Sequence, residues 1–166
     1  MVRMPDYLLD ANFFIQAHRV YYPMDVVPGF WNKLIELAEA GRVGSIDKVK
    51  AELFANEDDL TEWCRNNLPD GFFDDSANSI PQYRVIIQWS IDKQQFTQSA
   101  LDHFASSEVA DAWLVSHALE KGVVLITHEV SSPDSRKNIK LPDVCMAHGV
   151  RYLNTVEMFR ELGEHF

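Results

Sequence analysis

Short apolar runs alternate along the chain with longer stretches in which apolar residues recur at helical spacing. Four runs are predicted strands because they are short, nearly continuous and apolar: 7–9, 42–46, 123–127 and 150–153. The run at 123–127 is the clearest, since its branched residues are unbroken up to Thr127. Continuous apolar strands are typical of a parallel sheet that is covered on both faces.

The stretches between these runs are predicted helices. Residues 27–40 place their apolar side chains on one broad face, and Gly41 follows as a stop signal. Ser107 is a candidate cap for a helix over 108–121, and Asn154 with Glu157 has capping-box spacing. Further helices are predicted at 13–20, 47–54, 60–68, 81–91, 96–104 and 142–148. This alternation predicts an α/β fold with a central, mostly parallel sheet and helices on both faces.

The whole chain, 1–166, is predicted to be a single domain, because 166 residues suffice for one substantial core. Residues 57–104 form a long helical insertion in this pattern. Its first part is acidic, with seven acidic residues and one basic residue between 57 and 75. Such a run indicates either a solvated face or a docking surface for a basic partner.

Charge and composition exclude several function classes. The net charge of −10 argues against simple electrostatic capture of nucleic acid or of an anionic membrane. Arg136, Lys137 and Lys140 form a small basic cluster that is compatible with local phosphate contacts only. Because no apolar run approaches membrane-spanning length and no signal segment is evident, we expect a cytoplasmic protein with no membrane partner.

Acidic residues recur at the ends of the predicted elements. Asp10 follows the first strand directly, where parallel sheets place their ligands, although it could equally be a helix N-cap. Glu52 lies on the helix after the second strand, Asp111 about one turn into a helix, and Glu129 just beyond the clearest strand. Asp143 lies further on, just before a helix.

These acids have a joint interpretation as well as separate ones. Taken singly, each could serve as a cap, as a helix-dipole partner or as a turn residue. Taken together, carboxylates that converge at one sheet edge would repel each other unless divalent cations neutralised them. Oxygen ligands favour Mg²⁺ or Mn²⁺ over zinc, and such ions can activate water for attack on a phosphodiester.

Four segments resemble the PIN-domain family, and specifically the small bacterial PIN-like proteins of the toxin–antitoxin type. They are Leu8–Asn12, Val49–Leu53, Ala110–Val115 and Leu125–Glu129, and their order matches across nearly the whole chain. The resemblance implies a PIN-like, Rossmann-like three-layer α/β/α fold. It also implies a Mg²⁺- or Mn²⁺-dependent endoribonuclease, with an RNA substrate and an antitoxin protein that blocks the site. It is compatible with a homodimer.

Carried over by position, the resemblance assigns Asp10, Glu52 and Asp111 as the core catalytic and metal-binding acids. Glu129 would complete the set, although it stands where the family usually has Asp. The supporting residues would be Asn12 and Thr127 beside the acids, His128 for proton transfer or phosphate contact, and Asp143 as compensation for Glu129.

Two other function classes compete with the nuclease. A PIN-like module could bind RNA or a protein without cutting, which the Glu129 departure and the net acidity favour. A phosphatase with Asp10 as nucleophile usually needs a second acid two residues on, where this chain has Asn12. No G-x-G-x-x-G motif follows the first strand, which argues against a dinucleotide-binding enzyme.

Overall fold

The structure is a computed structural model that describes residues 4–166. Within these residues, five short strands form one sheet, in the order β3-β2-β1-β4-β5, and every neighbouring pair is parallel. The strands are β1 (Tyr7–Leu9), β2 (Val43–Ile46), β3 (Phe73–Asp74), β4 (Val124–Ile126) and β5 (Tyr152–Leu153). Because all strands are parallel, their carboxyl ends meet at one edge of the sheet.

Nine α-helices connect the strands within residues 4–166. They are α1 (Ala11–Gln16), α2 (Pro28–Glu39), α3 (Asp47–Phe54), α4 (Asp59–Asn67), α5 (Ile80–Asp92), α6 (Gln98–Phe104), α7 (Asp111–Lys121), α8 (Leu141–His148) and α9 (Thr155–Leu162). A π-helical turn, Ala17–Tyr21, continues α1, and a 3₁₀ turn, Ser76–Ser79, precedes α5. The predicted capping box of Asn154 and Glu157 begins α9, as expected.

The core lies on both faces of the three inner strands, β2, β1 and β4. Every residue of β1 and β2 is buried, and Leu125 and Ile126 of β4 are fully covered. A strand that is covered on both faces needs apolar side chains in both directions, which explains the continuous apolar runs. The predicted α/β fold with a parallel central sheet and helices on both faces is confirmed.

The edge strand β3 was not predicted from the sequence. It consists of Phe73 and Asp74 within the acidic insertion, and it pairs with Ser45 and Ile46 of β2. His117 of α7 connects this strand to the body of the domain. Its Nε2 lies 3.1 Å from an Asp74 carboxylate oxygen, and its Nδ1 lies 3.2 Å from the Ser79 hydroxyl. Part of the insertion therefore extends the sheet.

Helix α7 begins later than the sequence indicates. It starts at Asp111, so Asp111 is the first helical residue and not one turn in, and Ser107 is not its cap. The Ala110 N–H donates a hydrogen bond to Oε1 of Glu52, which lies on α3, with 2.7 Å between the nitrogen and the oxygen. This long-range hydrogen bond fixes the start of the helix in place of a local cap.

None of the helices between residues 4 and 166 combines the length and the apolar character that crossing a bilayer requires.

Candidate metal centre

Asp10 lies at the carboxyl edge of β1 and is almost completely buried. Its Oδ1 accepts a hydrogen bond from the Phe13 N–H at 2.6 Å, and its Oδ2 accepts one from the Thr127 hydroxyl at 2.7 Å. The first bond makes Asp10 the N-cap of α1. The second fixes its carboxylate against the end of β4. The N-cap interpretation of this residue is confirmed, and its role as a cation ligand stays a prediction.

Thr127 is placed beside Asp10 by the register of the sheet. Leu9 of β1 pairs with Ile126 of β4, so the residues that follow these two strands are neighbours. The buried Thr127 hydroxyl donates to Asp10 and accepts from the Glu129 N–H at 3.1 Å. The Glu129 side chain in turn accepts a hydrogen bond from the Leu141 N–H at the start of α8, with 2.7 Å between the nitrogen and Oε2. One chain of hydrogen bonds thus connects β1, β4 and α8.

Glu52 and Asp111 come from the other side of β1. Glu52 lies on α3, which follows β2, and its bond to the Ala110 N–H ties it to the residue just before Asp111. Asp111 is half-buried at the first position of α7, where the positive end of the helix dipole favours a negative charge. Asp10, Glu52, Asp111 and Glu129 therefore converge on one end of the sheet.

The pKa values show how closely these acids interact. Burial, with smaller contributions from the charges of Glu129 and Glu52, raises the pKa of Asp10 to about 7. Burial raises the pKa of Asp111 to about 8, with contributions from Glu129, Glu52 and Asp10, whereas Lys140 lowers it. The pKa of Glu52 is also raised, mainly by burial. The neighbouring carboxylates thus make it harder for Asp10 and Asp111 to ionise.

The donor set fits a hard divalent cation in its chemistry. All four donors are carboxylates, and a bound cation would offset the repulsion that contributes to the raised pKa values of Asp10 and Asp111. The side chains are not arranged in advance as a ligand shell, because no three acidic, histidine or cysteine groups of residues 4–166 form a ready-made metal-binding group. Glu52 and Glu129 bind backbone N–H groups instead.

A cavity of about 320 Å³ opens beside these acids and carries both signs of charge. Asp111 and Glu129 line one part of it, and His103 of α6, Lys137 and Lys140 line another. Both lysines belong to the 131–140 loop. Two hydrogen bonds attach this loop to the insertion. The Thr97 N–H donates to the Arg136 carbonyl at 2.9 Å, and the Gln95 side-chain amide donates to the Pro133 carbonyl at 2.7 Å. The cavity can accept an anion next to the carboxylates.

The remaining predicted residues lie around this centre. Asn12 is on α1, but the hydrogen bonds to Asp10 come from Phe13 and Thr127. The Asp143 carboxylate accepts from the Ser131 hydroxyl at 2.5 Å and from the Ser132 N–H at 2.9 Å, so it holds the loop that follows Glu129.

The half-buried His128 contacts the start of α9 through one ring nitrogen. Its Nε2 lies 2.9 Å from the Thr155 hydroxyl, and burial lowers its pKa. The ring stacks on Phe13, with 6.4 Å between ring centroids. The neutral form is therefore favoured at pH 7.

His103 was not among the residues that the sequence analysis singled out. Its charge lowers the pKa of Glu52, and it lines the same cavity as Asp111. It lies in the insertion, eight positions before Asp111 and far along the chain from the other acids, and it belongs to none of the four motif segments.

Comparison with known proteins supports the fold. A family model described as a domain of unknown function, DUF4411, matches residues 7–166. No curated protein matches the chain. Among solved structures, a chain of VapBC2 from Rickettsia felis, crystallised with a DNA fragment from the promoter, is 14% identical and has a TM-score of 0.50. That match covers 89% of this chain and 97% of the other.

At this identity the likeness concerns the fold, and it confirms the PIN-like three-layer α/β/α arrangement that the sequence indicated. The chain belongs to the DUF4411 family of domains of unknown function and has a PIN-like fold.

Proposed function

We propose that this protein is a Mg²⁺- or Mn²⁺-dependent endoribonuclease that hydrolyses phosphodiester bonds of RNA. The observation that carries the proposal is the convergence of four carboxylates on one end of the sheet, where burial raises the pKa values of Asp10, Glu52 and Asp111, and neighbouring carboxylates add to the rise at Asp10 and Asp111. A protein keeps such a costly arrangement where it binds a cation. Asp10, Glu52, Asp111 and Glu129 would hold that cation.

The bound cation would supply activation of water and neutralisation of the charge that develops on the phosphate. The chain's own residues supply the rest. Thr127 orients the Asp10 carboxylate through its hydroxyl. Lys137 and Lys140 line the adjoining cavity and would attract the phosphate group of the strand, since the rest of the molecule has a net negative charge. His103 lines the same cavity and can donate a hydrogen bond there.

We further propose that the protein is the toxin of a type II toxin–antitoxin pair. The similar solved structure is described as VapBC2 bound to promoter DNA, and the four motif segments support the same relationship. The partner would be an antitoxin protein that covers the carboxylates. A homodimer is compatible with this proposal, and the cytoplasm would be its compartment.

A second candidate is a PIN-like module that binds RNA or a protein without cutting. The hydrogen bonds of Glu52 and Glu129 to backbone N–H groups favour it, because they hold both carboxylates away from a ready-made ligand shell. The expected acid at position 129 is also replaced by Glu, whose extra methylene displaces the carboxylate.

The decisive experiment is cleavage of a mixed pool of structured RNAs by purified protein in Mn²⁺, in Mg²⁺ and in EDTA. We expect cleavage with either ion and none in EDTA. The Asp10→Asn variant should lose roughly a hundredfold or more of the activity. Asp92→Asn is the matched control. Asp92 is exposed at the end of α5, so this substitution makes the same change of charge at the surface.

Turnover separates the two candidates, and calorimetry with Mn²⁺ shows whether a protein that does not cut still binds the metal. A folded wild type that binds Mn²⁺ but cuts no RNA in the pool would support the binding module and contradict the nuclease. Cleavage that persists in EDTA, or in Asp10→Asn at the wild-type rate, would contradict the assignment of the carboxylates.

A further inference from the structure

A second cleft, of about 450 Å³, adjoins the carboxylates, and neither Lys137 nor Lys140 lines it. Thr127 and Glu129 line it, and Glu129 also lines the charged cavity. The two spaces therefore meet at Glu129. The walls of the second cleft are aromatic and apolar, with Tyr21, Tyr152 and Val156 among its lining residues.

Three aromatic rings are stacked at this cleft. Tyr21 lies over His128 with 5.4 Å between centroids and an interplanar angle of 25°. His128 lies over the fully buried Phe13 at 6.4 Å and 21°. The Thr155 hydroxyl, 2.9 Å from His128 Nε2, fixes the middle ring. Tyr21, the outermost ring, is 55% exposed, so the core supports the stack from below while its upper end faces solvent.

An unusual piece of backbone puts Tyr21 in this position. Helix α1 continues as the π-helical turn Ala17–Tyr21, and the Tyr22 N–H bonds to the Ala17 carbonyl at 2.8 Å. π-helical turns are rare and occur frequently at functional sites. The wider turn changes the direction of the next side chains. It leaves Tyr21 over His128, while Tyr22 packs on the buried Phe30 with 4.2 Å between centroids.

We propose that this cleft binds one unpaired nucleobase of an RNA strand, which stacks against the Tyr21–His128 pair. The proposal rests on the ribonuclease function for its choice of ligand. Each nucleotide connects its base to its phosphate through one sugar, so a phosphate held beside Glu129 and the lysines brings the attached base within reach of the adjoining cleft. Stacking on aromatic rings tolerates every base, because each base has a π face.

The chemistry of the rim matches a base. Apolar Val130 and Val156 border the cleft, and Asn154 and Glu157 add polar groups. A nucleobase has two apolar faces and a polar edge, and it needs both kinds of neighbour. A base inside a duplex has both faces covered by its own stack. The cleft therefore selects single-stranded segments, such as loops and ends.

The test uses adenosine as the probe and metal-free protein. Adenosine carries no phosphate, so the repulsion from the carboxylates and the need for a cation do not enter. Titration is followed by NMR on the aromatic signals of Tyr21, His128 and Tyr152. We expect ring-current shifts at these residues. Tyr21→Leu should weaken binding about tenfold or more, and Tyr21→Phe should stay within about twofold of the wild type.

The two substitutions distinguish stacking from general apolar contact. Leucine keeps apolar surface but has no ring, and phenylalanine keeps the ring, so both variants should fold with unchanged core signals. Equal binding by wild type and Tyr21→Leu, or shifts confined to residues outside the cleft, would overturn the proposal. In the first case, the cleft is an apolar surface for a protein partner. Because adenosine is not cleaved, this result is independent of whether the protein cuts RNA.

Discussion

At the scale of single residues, the Asp10 carboxylate depends on the two groups that donate to it. Thr127 is the more informative of these, because its hydroxyl donates to Asp10 and accepts from the Glu129 N–H. One side chain thereby positions two acids of the cluster. Thr127 is also buried, so water cannot replace Asp10 as the partner of its hydroxyl without a structural change.

We predict that Thr127→Val lowers the free energy of unfolding of the metal-free protein by about 1–3 kcal/mol. Valine has the same shape but no hydroxyl, so the buried Asp10 oxygen and the Glu129 N–H both lose a partner. Urea denaturation at pH 7 measures the change. Thr127→Ser keeps the hydroxyl and should lose less stability. Equal losses for valine and serine would show that the methyl group, not the hydrogen bond, matters.

Because the pKa values of Asp10 and Asp111 are raised, the metal-free protein should lose stability as the pH rises. These groups hold protons in the folded state up to pH 7 or 8 that the unfolded chain releases near its ordinary pKa. Since the folded state binds more protons across this window, stability falls as the pH rises from about 4 to about 8. Below that window both states are protonated and the effect vanishes.

We therefore predict that the melting temperature in EDTA falls between about pH 5 and about pH 8, and that Asp111→Asn reduces this fall. Mn²⁺ should raise the melting temperature more at the higher pH, because it replaces the protons. Differential scanning fluorimetry checks both statements. Asp92→Asn, which removes a surface charge, should keep the wild-type slope. A wild-type slope in Asp111→Asn would contradict the electrostatic role of that residue.

The contact between Asp10 and Thr127 could be predicted from the sequence, whereas the hydrogen-bond partners of the other acids could not. Asp10 and Thr127 directly follow strands that lie side by side, so the end of each strand fixes the residue's position. Glu52 and Glu129 bond to Ala110 and Leu141, and these partners depend on how the helices pack. His103 and Lys140 reach the cavity only because the insertion and the 131–140 loop fold over it.

At the scale of elements, the turn between α7 and β4 sets the position of the central strands. Gly122 ends α7 in the left-handed conformation, with φ at 70°, and β4 begins two residues later at Val124. A Cβ atom at this position would meet nothing within 4 Å. Any cost of a substitution there is therefore conformational, since space is available.

We predict that Gly122→Ala lowers the free energy of unfolding by about 1–2 kcal/mol, and that Gly122→Asn costs less. Asparagine tolerates the left-handed region because its side chain can hydrogen-bond locally. Thermal or urea denaturation of the two variants measures the difference. If alanine and asparagine cost the same, the backbone at 122 adjusts and the conformational account is wrong.

Two elements differ from the sequence-based expectation for tertiary reasons. The strand β3 has only two residues in an acidic region, and its pairing with β2 and the contact of Asp74 with His117 define it. The start of α7 moves to Asp111 because Glu52 binds the Ala110 N–H. The long helices and the central strands were predictable, since their apolar periodicity reflects burial that the whole fold shares.

At the scale of the whole molecule, negative charge predominates, with 25 acidic residues against 15 basic ones. Lys137 and Lys140 line the cavity beside the carboxylates, so the proposed RNA strand would make its phosphate contacts there, along the 131–140 loop. A small number of phosphate contacts means a small dependence on salt, because each contact to a single strand contributes about −0.7 to the logarithmic slope.

We predict a slope of about −2 for binding of a single-stranded oligoribonucleotide, and a slope less steep by about 0.7 in Lys140→Ala. The measurement is fluorescence anisotropy across a salt series, with both proteins in an Asp10→Asn background so that the strand stays intact. Lys93→Ala, at the exposed end of α5, is the matched control. An unchanged slope in Lys140→Ala would place the strand elsewhere.

The strand order has a consequence for how the protein is made. The first strand of the chain, β1, lies in the middle of the sheet between β2 and β4, and Asp10 bonds to Thr127, 117 positions away. A ribosome delivers β1 well before β4. The carboxylates therefore stay unassembled on the nascent chain until β4 and Thr127 have also emerged, 117 positions after Asp10.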